Sequence, residues 1–202
     1  ADANVAKPLA DWARSLEVQG WDGPVLVFGP EGHMPEIPCN CEAVALDSAY
    51  QDIDKGTALL KPEILLSDEF ERSDEILYLD CSDIVMMCHP SEIFSYVEDA
   101  ILAAREFRNR GLRGGIPDAV VHDMDLDTDL CWTKRLVNSG VIAARITDDL
   151  RDKARLWSDI CHKVTEYDGW PHYEPGDQIT FNYIFRMMQR RCNVEFLPDI
   201  YN

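Results

Sequence analysis

Glu75-Ile-Leu-Tyr-Leu-Asp80-Cys-Ser-Asp83-Ile-Val-Met86 is the stretch on which the fold turns. Glu75 to Leu79 is a short, mostly apolar run of strand length, and Ile84 to Met87 is another. Between them, Asp80 and Asp83 put two carboxylates at the end of an expected buried strand. Carboxylates in that position cost desolvation unless something cationic meets them. A hard dication, Mn²⁺ or Mg²⁺, would satisfy them through oxygen ligands while keeping positions open for phosphate. An exposed turn, in which Asp and Ser bond nearby backbone, accounts for the same residues equally well.

Outward from this stretch, helical and strand patterns alternate, which points to an α/β sheet rather than a bundle. On the N-terminal side, a helix is expected over Ala6 to Val18, with Leu9, Trp12, Ala13 and Leu16 on one face and Gly20 stopping it. Strands are expected at Val25 to Phe28 and Ala43 to Leu46, and a short helix at Glu63 to Phe70. On the C-terminal side, Pro90-Ser91 opens an expected helix that carries Ile93, Val97, Ile101 and Ala104 inward and ends near Gly111. Gly111 to Pro117 is expected as a loop, with strands at Ala119 to His122 and Gly140 to Ala144. Thr147 is the expected cap of a helix with Leu150, Ala154, Trp157 and Cys161 as its buried stripe. A last helix runs from about Asp177 to Arg190, and Val194 to Leu197 closes as a strand.

The 202 residues, 46% hydrophobic, suit one large domain over 1–202. A core of that size buries about 70% of the surface of the unfolded chain. Thirty-seven acidic against 19 basic residues give a net charge of −18, which argues against nucleic acid and against an anionic membrane surface. No apolar run has the length of a membrane span. Seven cysteines leave at least one thiol unpaired within the chain, and several lie beside apolar stretches, so reduced thiols in a cytoplasmic setting are the simpler expectation. Cys39-x-Cys41 lacks the usual two-residue gap of a zinc knuckle.

The Glu75–Met86 stretch resembles the strand and Asp-x-Asp motif of GT-A nucleotide-sugar glycosyltransferases, and the nearer likeness is to the glycogenin-like group. Four further segments resemble that group in the right order. Lys61-Pro-Glu-Ile-Leu65 is similar to its Lys-Pro segment, and Val137-Asn138-Ser139-Gly140-Val-Ile142 to its donor-sugar loop. Gly176-Asp177-Gln178-Ile-Thr-Phe-Asn182 is similar to its Asp-Gln helix start, and Leu197-Pro-Asp-Ile-Tyr-Asn202 to the strand end that follows. The resemblance implies a Rossmann-like, mixed but mainly parallel central sheet flanked by helices. It implies a nucleotide-sugar-dependent transferase of hexosyl type, UDP favoured, with a glycan, protein or small molecule as acceptor. Asp80, Ser82 and Asp83 would hold Mn²⁺ or Mg²⁺. Lys61 would neutralise donor phosphate; Asn138, Ser139 and Gly140 would meet the sugar; Asp177 and Gln178 would serve the reacting centre. Ala1, Asp2 and Asn4 would form the donor-side loop after a first strand, making the chain a piece of a longer polypeptide.

The sequence departs from the family in three respects. The spacing is Asp-x-x-Asp, with Ser82 where the second acid is usual, so that either Asp83 takes over that role or Ser82 ligates weakly. It starts where the family's first strand should already have ended. The family's metal-binding His after the last motif is not found before Asn202. Two other readings of the chain remain. A nucleotidyltransferase shares a related sheet but should carry a Gly-rich basic loop early, and Ala1 to Lys7 has none. A binding module could keep the fold and lose the metal. Ordinary explanations also stand beside each site residue: a surface lysine before Pro62, a plain turn at Asn138-Ser139, and a helix N-cap at Asp177. Asp123, Asp125 and Asp127 match the first ligands of a calcium loop, but Thr128 and Lys134 occupy its glycine and glutamate positions. Arg105, Arg108, Arg110 and Arg113 form a basic cluster that could meet phosphate or an anionic acceptor, and the favoured expectation is a helix C-terminus whose dipole they complement. His172, in Trp170-Pro-His-Tyr-Glu-Pro175, could line an acceptor cleft whose aromatics stack on sugar, and these aromatics could equally be core.

Overall fold

The computed structural model describes residues 3–30, 34, 36–46, 60–72, 74–80, 86–98, 100–107, 115–131, 136–166, 176–191 and 193–198. Helix α1 spans Ala3–Val18 and buries Leu9, Trp12, Ala13 and Leu16, the face read from the sequence. It begins earlier than expected, so Asn4 is helical rather than part of a loop. The added residues Ala3, Asn4 and Val5 extend the helix by about a turn ahead of Pro8. Ala1 and Asp2 lie outside the described residues. At the other end Gly20 has φ +79°, its N–H bonds Glu17 O, and the Trp21 N–H bonds Leu16 O. That is the Schellman arrangement, which needs a left-handed residue and explains the glycine.

Strands β1 (Leu26–Pro30) and β2 (Glu42–Leu46) pair in parallel. A second, four-stranded sheet has the order β3-β5-β4-β6, where β3 is Glu75–Leu79, β4 Leu102–Phe107, β5 Leu136–Arg145 and β6 Val194–Leu197. In it β4 and β6 run parallel, while β5 runs antiparallel to both its neighbours. The α/β class with a mixed sheet holds. The continuous apolar run 141–144 carries no sign of strand direction, so the antiparallel course of β5 is known only from its pairing.

Both faces of that sheet are buried. Leu102, Ala104, Ile142 and Ala144 belong to a core with Leu150, Trp157, Ile160, Phe181 and Phe185. Their neighbours Ala103, Val141 and Ala143 belong to a core with Leu9, Trp12, Val27, Ile93 and Val97. Alternate residues face opposite layers, which is why these strands read as unbroken apolar runs. The first layer is built by helices α6 (Asp148–Glu166) and α7 (Gly176–Gln189), the second by α1. Helix α2 (Leu60–Leu66) packs on α6, where Ser158 Oγ donates to Glu63 Oε1 at 2.5 Å. The Leu150 N–H bonds Thr147 Oγ1 at 3.1 Å, so Thr147 caps α6 as expected.

Several expectations are corrected. The segment from Ser91 is a one-turn helix α3 (Ser91–Phe94) with a 3₁₀ turn (Ser95–Val97), and Ile101 to Ala104 lie at or in strand β4 rather than on that helix. Ile93 and Val97 share a helical face, but Leu102-Ala103-Ala104 fill both faces of the sheet, and tertiary burial overrides the local period. Arg105 therefore sits in a strand, not at a helix C-terminus; Arg108, Arg110 and Arg113 lie outside the described residues. The expected strand at Ala119 to His122 is helix α4 (Asp118–Asp123). Pro117 precedes it and Asp118 opens its first turn, a start signal that outweighs the β-branched Val120-Val121 pair. Met86 and Met87 are not in a strand; 84 and 85 lie outside the described residues. Asp125 has φ +50° and precedes the short helix α5 (Thr128–Cys131).

Inside the first layer, the fully buried Trp157 donates its indole N–H to Thr180 Oγ1 at 2.9 Å, fastening α6 to α7. Thr180→Val keeps the shape and strands that N–H. Urea unfolding is expected to show a loss of about 1–3 kcal/mol, the penalty for a buried donor left unmade. An unchanged midpoint would mean that the bond is worth nothing here.

Candidate functional site

The antiparallel pairing of β3 with β5 builds the site. Its register runs from Glu75↔Arg145 to Leu79↔Val141, and the next residue, Asp80, donates its N–H to Gly140 O at 2.9 Å. Two segments 60 residues apart in the sequence, the acidic strand end and Asn138-Ser139-Gly140, thus meet side by side. Lys61, in the first turn of α2, joins them: its Nζ lies 3.0 Å from Asp80 Oδ2, 3.2 Å from Ser139 Oγ and 3.4 Å from Ser139 O. The lysine side chain is 11% exposed and the aspartate 34%, so the pair lies at the rim of the protein with its ammonium side sunk inward.

Two side chains steer the Asp80 carboxylate. Tyr78, two residues back on the same strand face, donates its hydroxyl to Oδ1 at 2.5 Å. Lys61 Nζ also lies over the Tyr78 ring, 5.6 Å from its centre, within the range of a cation–π contact. Gly140 leaves the space: a β-carbon there would stand 2.7 Å from Asp80 Oδ2 and 3.0 Å from Asn138 Oδ1. Asn138 turns its Oδ1 back to accept the Gly140 N–H at 2.6 Å.

The start of α7 supplies another part. The helix begins at Gly176, so Asp177 is inside its first turn rather than at the cap, a position where an acid still complements the dipole. The Asp177 side chain lies outside the described part of the structure. Gln178 is only 7% exposed, and its Nε2 has no hydrogen-bond partner. Asn182, one turn on and 2% exposed, accepts the Val137 N–H at 2.6 Å and donates to Val137 O at 3.0 Å and Gln178 O at 2.5 Å.

Of the residues picked from the sequence, Lys61, Asp80, Ser139 and Gly140 are brought together, with Asn138 adjoining. Ser82 and Asp83 lie outside the described residues, as does His172. Tyr78 and Asn182 were missed. Period-two spacing from Asp80 would have found the first, and a lone amide in the apolar run 179–185, at i+4 from Gln178, the second.

Among the described residues no group of three or more His, Cys, Asp or Glu side chains is placed to hold a metal. Asp80 alone nevertheless fits as one oxygen ligand. It is part-exposed, and a carboxylate has about four acceptor positions, of which Tyr78 and Lys61 take one on each oxygen.

No protein-family model matches the chain, and no curated protein matches it. Among solved structures it is similar to the crystal structure of mouse xyloside xylosyltransferase 1 in its apo form. The TM-score is 0.56 at 13% sequence identity, over 97% of this chain and 80% of that one. At that identity the likeness is one of architecture: the chain shares its fold with that xylosyltransferase structure.

Proposed function

We propose that the chain transfers a sugar from a nucleoside diphosphate donor, UDP favoured, to a glycan, protein or small-molecule acceptor, with Mn²⁺ or Mg²⁺ held by Asp80, Ser82 and Asp83. The glycogenin-like motifs support this reading, and one observation carries it: Lys61, Asp80 and Ser139-Gly140, drawn from three parts of the sequence, converge on one corner of the sheet. When bound, the dication supplies Lewis-acid charge for the leaving diphosphate. Lys61 keeps a cation beside that corner. Gly140 lets backbone approach the sugar closely. The buried Gln178 amide, whose Nε2 is unpartnered, offers a donor that a sugar hydroxyl would satisfy.

Among the described residues Cys39, Cys41, Cys88 and Cys131 form no disulfide, which supports a reducing, cytoplasmic setting for the proposed activity. No helix among the described residues is long and apolar enough to cross a membrane. A second reading, a binding module without transfer, is favoured by the Lys61–Asp80 pair, which balances the acidic corner with no metal at all.

A thermal-shift scan of UDP, GDP and their sugars, UDP-xylose included because the structural neighbour is a xylosyltransferase, separates the two readings. A shift that needs both nucleotide and Mn²⁺ supports transfer, since a ligand that binds only the folded state stabilises it by mass action. No metal-dependent shift with any of them favours the module. Within the first reading, Asp177→Ala is expected to lower transfer more than UDP affinity. Equal losses would reduce Asp177 to a helix-start residue.

A further inference from the structure

We infer that Asn182 is a positioning residue for the transfer reaction, a peptide-like clamp that fixes the distance between the donor-loop segment and the start of α7. The inference rests on the reading under Proposed function. The β3 ladder ends at Leu79↔Val141, so at Val137 that neighbour strand no longer supplies partners. There the Asn182 amide takes the place of a strand: its Oδ1 accepts from the Val137 N–H and its Nδ2 donates to the Val137 carbonyl. The second Nδ2 hydrogen goes to Gln178 O. One donor and two acceptors face this amide, so its orientation has a single solution. Val137 directly precedes Asn138-Ser139-Gly140, and Gln178 directly follows Asp177. A single buried side chain therefore bonds to the residue next to each of the two segments proposed to meet the sugar.

These Asn182 hydrogen bonds run to Val137 and Gln178, whereas Lys61 and Asp80 are bonded to each other and to Ser139 and Tyr78. Loosening Asn182 should shift the sugar-facing groups relative to one another and leave the diphosphate corner intact. Misplacement of this kind acts on the reaction rather than on nucleotide capture.

The test measures UDP-glucose and UDP-xylose hydrolysis with Mn²⁺, and UDP affinity, in the wild type, Asn182→Ala and Asn182→Ser. The expected result is a kcat about tenfold lower in Asn182→Ala, with UDP affinity within about twofold of wild type and partial recovery in Asn182→Ser, whose hydroxyl both donates and accepts. An unchanged kcat overturns the inference, as does a parallel loss of kcat and UDP affinity, which would mean general unfolding. Should Asn182→Ala not fold, Asn182→Ser carries the same comparison. Hydrogen exchange on the wild type adds an arm free of mutation: the Val137 amide is expected among the slowest of the chain, and exchange at loop rates would overturn the clamp. A wild type that neither binds nor hydrolyses any sugar nucleotide brings down the proposed function and the catalytic half of this inference together. The Val137 exchange rate still decides the clamp in that case, so the two failures are told apart.

Discussion

Asp80→Ala is expected to lower Mn²⁺-dependent hydrolysis of the nucleotide sugar by about 10²–10³-fold, the range seen when one preorganised electrostatic contact to developing charge is removed. Among the described residues the Tyr78 hydroxyl, the Lys61 ammonium and the Gly140 carbonyl across the ladder hold Asp80 in place. The last is made by backbone and survives the substitution. Lys61 keeps Ser139 Oγ and O as partners. Stability should fall by about 1–3 kcal/mol with the fold kept, because the largely buried ammonium loses its counter-charge and the Tyr78 hydroxyl loses this acceptor. The measurement is UDP release at saturating Mn²⁺, alongside circular dichroism and a urea midpoint. Activity within twofold of wild type would remove Asp80 from the reaction and, with it, the metal assignment. A larger loss of stability would make the Lys61–Asp80 pair a structural element first.

How far the sequence alone reached depended on the kind of signal each segment carried. Glu75–Leu79 and Val194–Leu197 were read to the residue because Asp80 and Pro198 mark where each short run ends. Helix α6 was legible from its stripe and cap. The segment 91–107 was not, because Ile93, Val97, Ile101 and Ala104 satisfy a helical period while packing instead from a short helix and a strand. Alanine carries little information about which it joins. Nor does a sequence show strand direction. Without the antiparallel β5, Asp80 and Gly140 are two motifs; with it they are one site. Tyr78 and Asn182 escaped for a different reason. Each acts on a neighbour rather than presenting a reactive group, and such supporting partners have no motif of their own.

Gly140→Ala separates fold from site most sharply, and Gly20→Ala is its mirror image. At Gly20 a β-carbon meets nothing within 4 Å, but φ is +79°. The left-handed backbone costs a non-glycine residue about 1–2 kcal/mol, so the expected result is a lower urea midpoint with catalysis unchanged. At Gly140 no positive φ is involved; the obstacle is Asp80 Oδ2 at 2.7 Å and Asn138 Oδ1 at 3.0 Å. The first is closer than any real β-carbon contact, so the carboxylate must swing away. It cannot do so freely, since Tyr78 holds one oxygen and Lys61 the other. Either the Lys61 contact or the Tyr78 contact breaks, and the oxygen proposed to meet the metal leaves its place. A displacement on the order of 1 Å at a reacting site costs about 10²-fold. Gly140→Ala should accordingly lose about that much kcat/KM, with a raised Mn²⁺ concentration for half-saturation, while β3 and β5 stay paired and the urea midpoint moves less than in Gly20→Ala. The titration with Mn²⁺ is the deciding measurement. If Gly140→Ala saturates with Mn²⁺ at the wild-type concentration and turns over at the wild-type rate, the Asp80 carboxylate has somewhere else to go, and the geometry of this corner does not govern the chemistry.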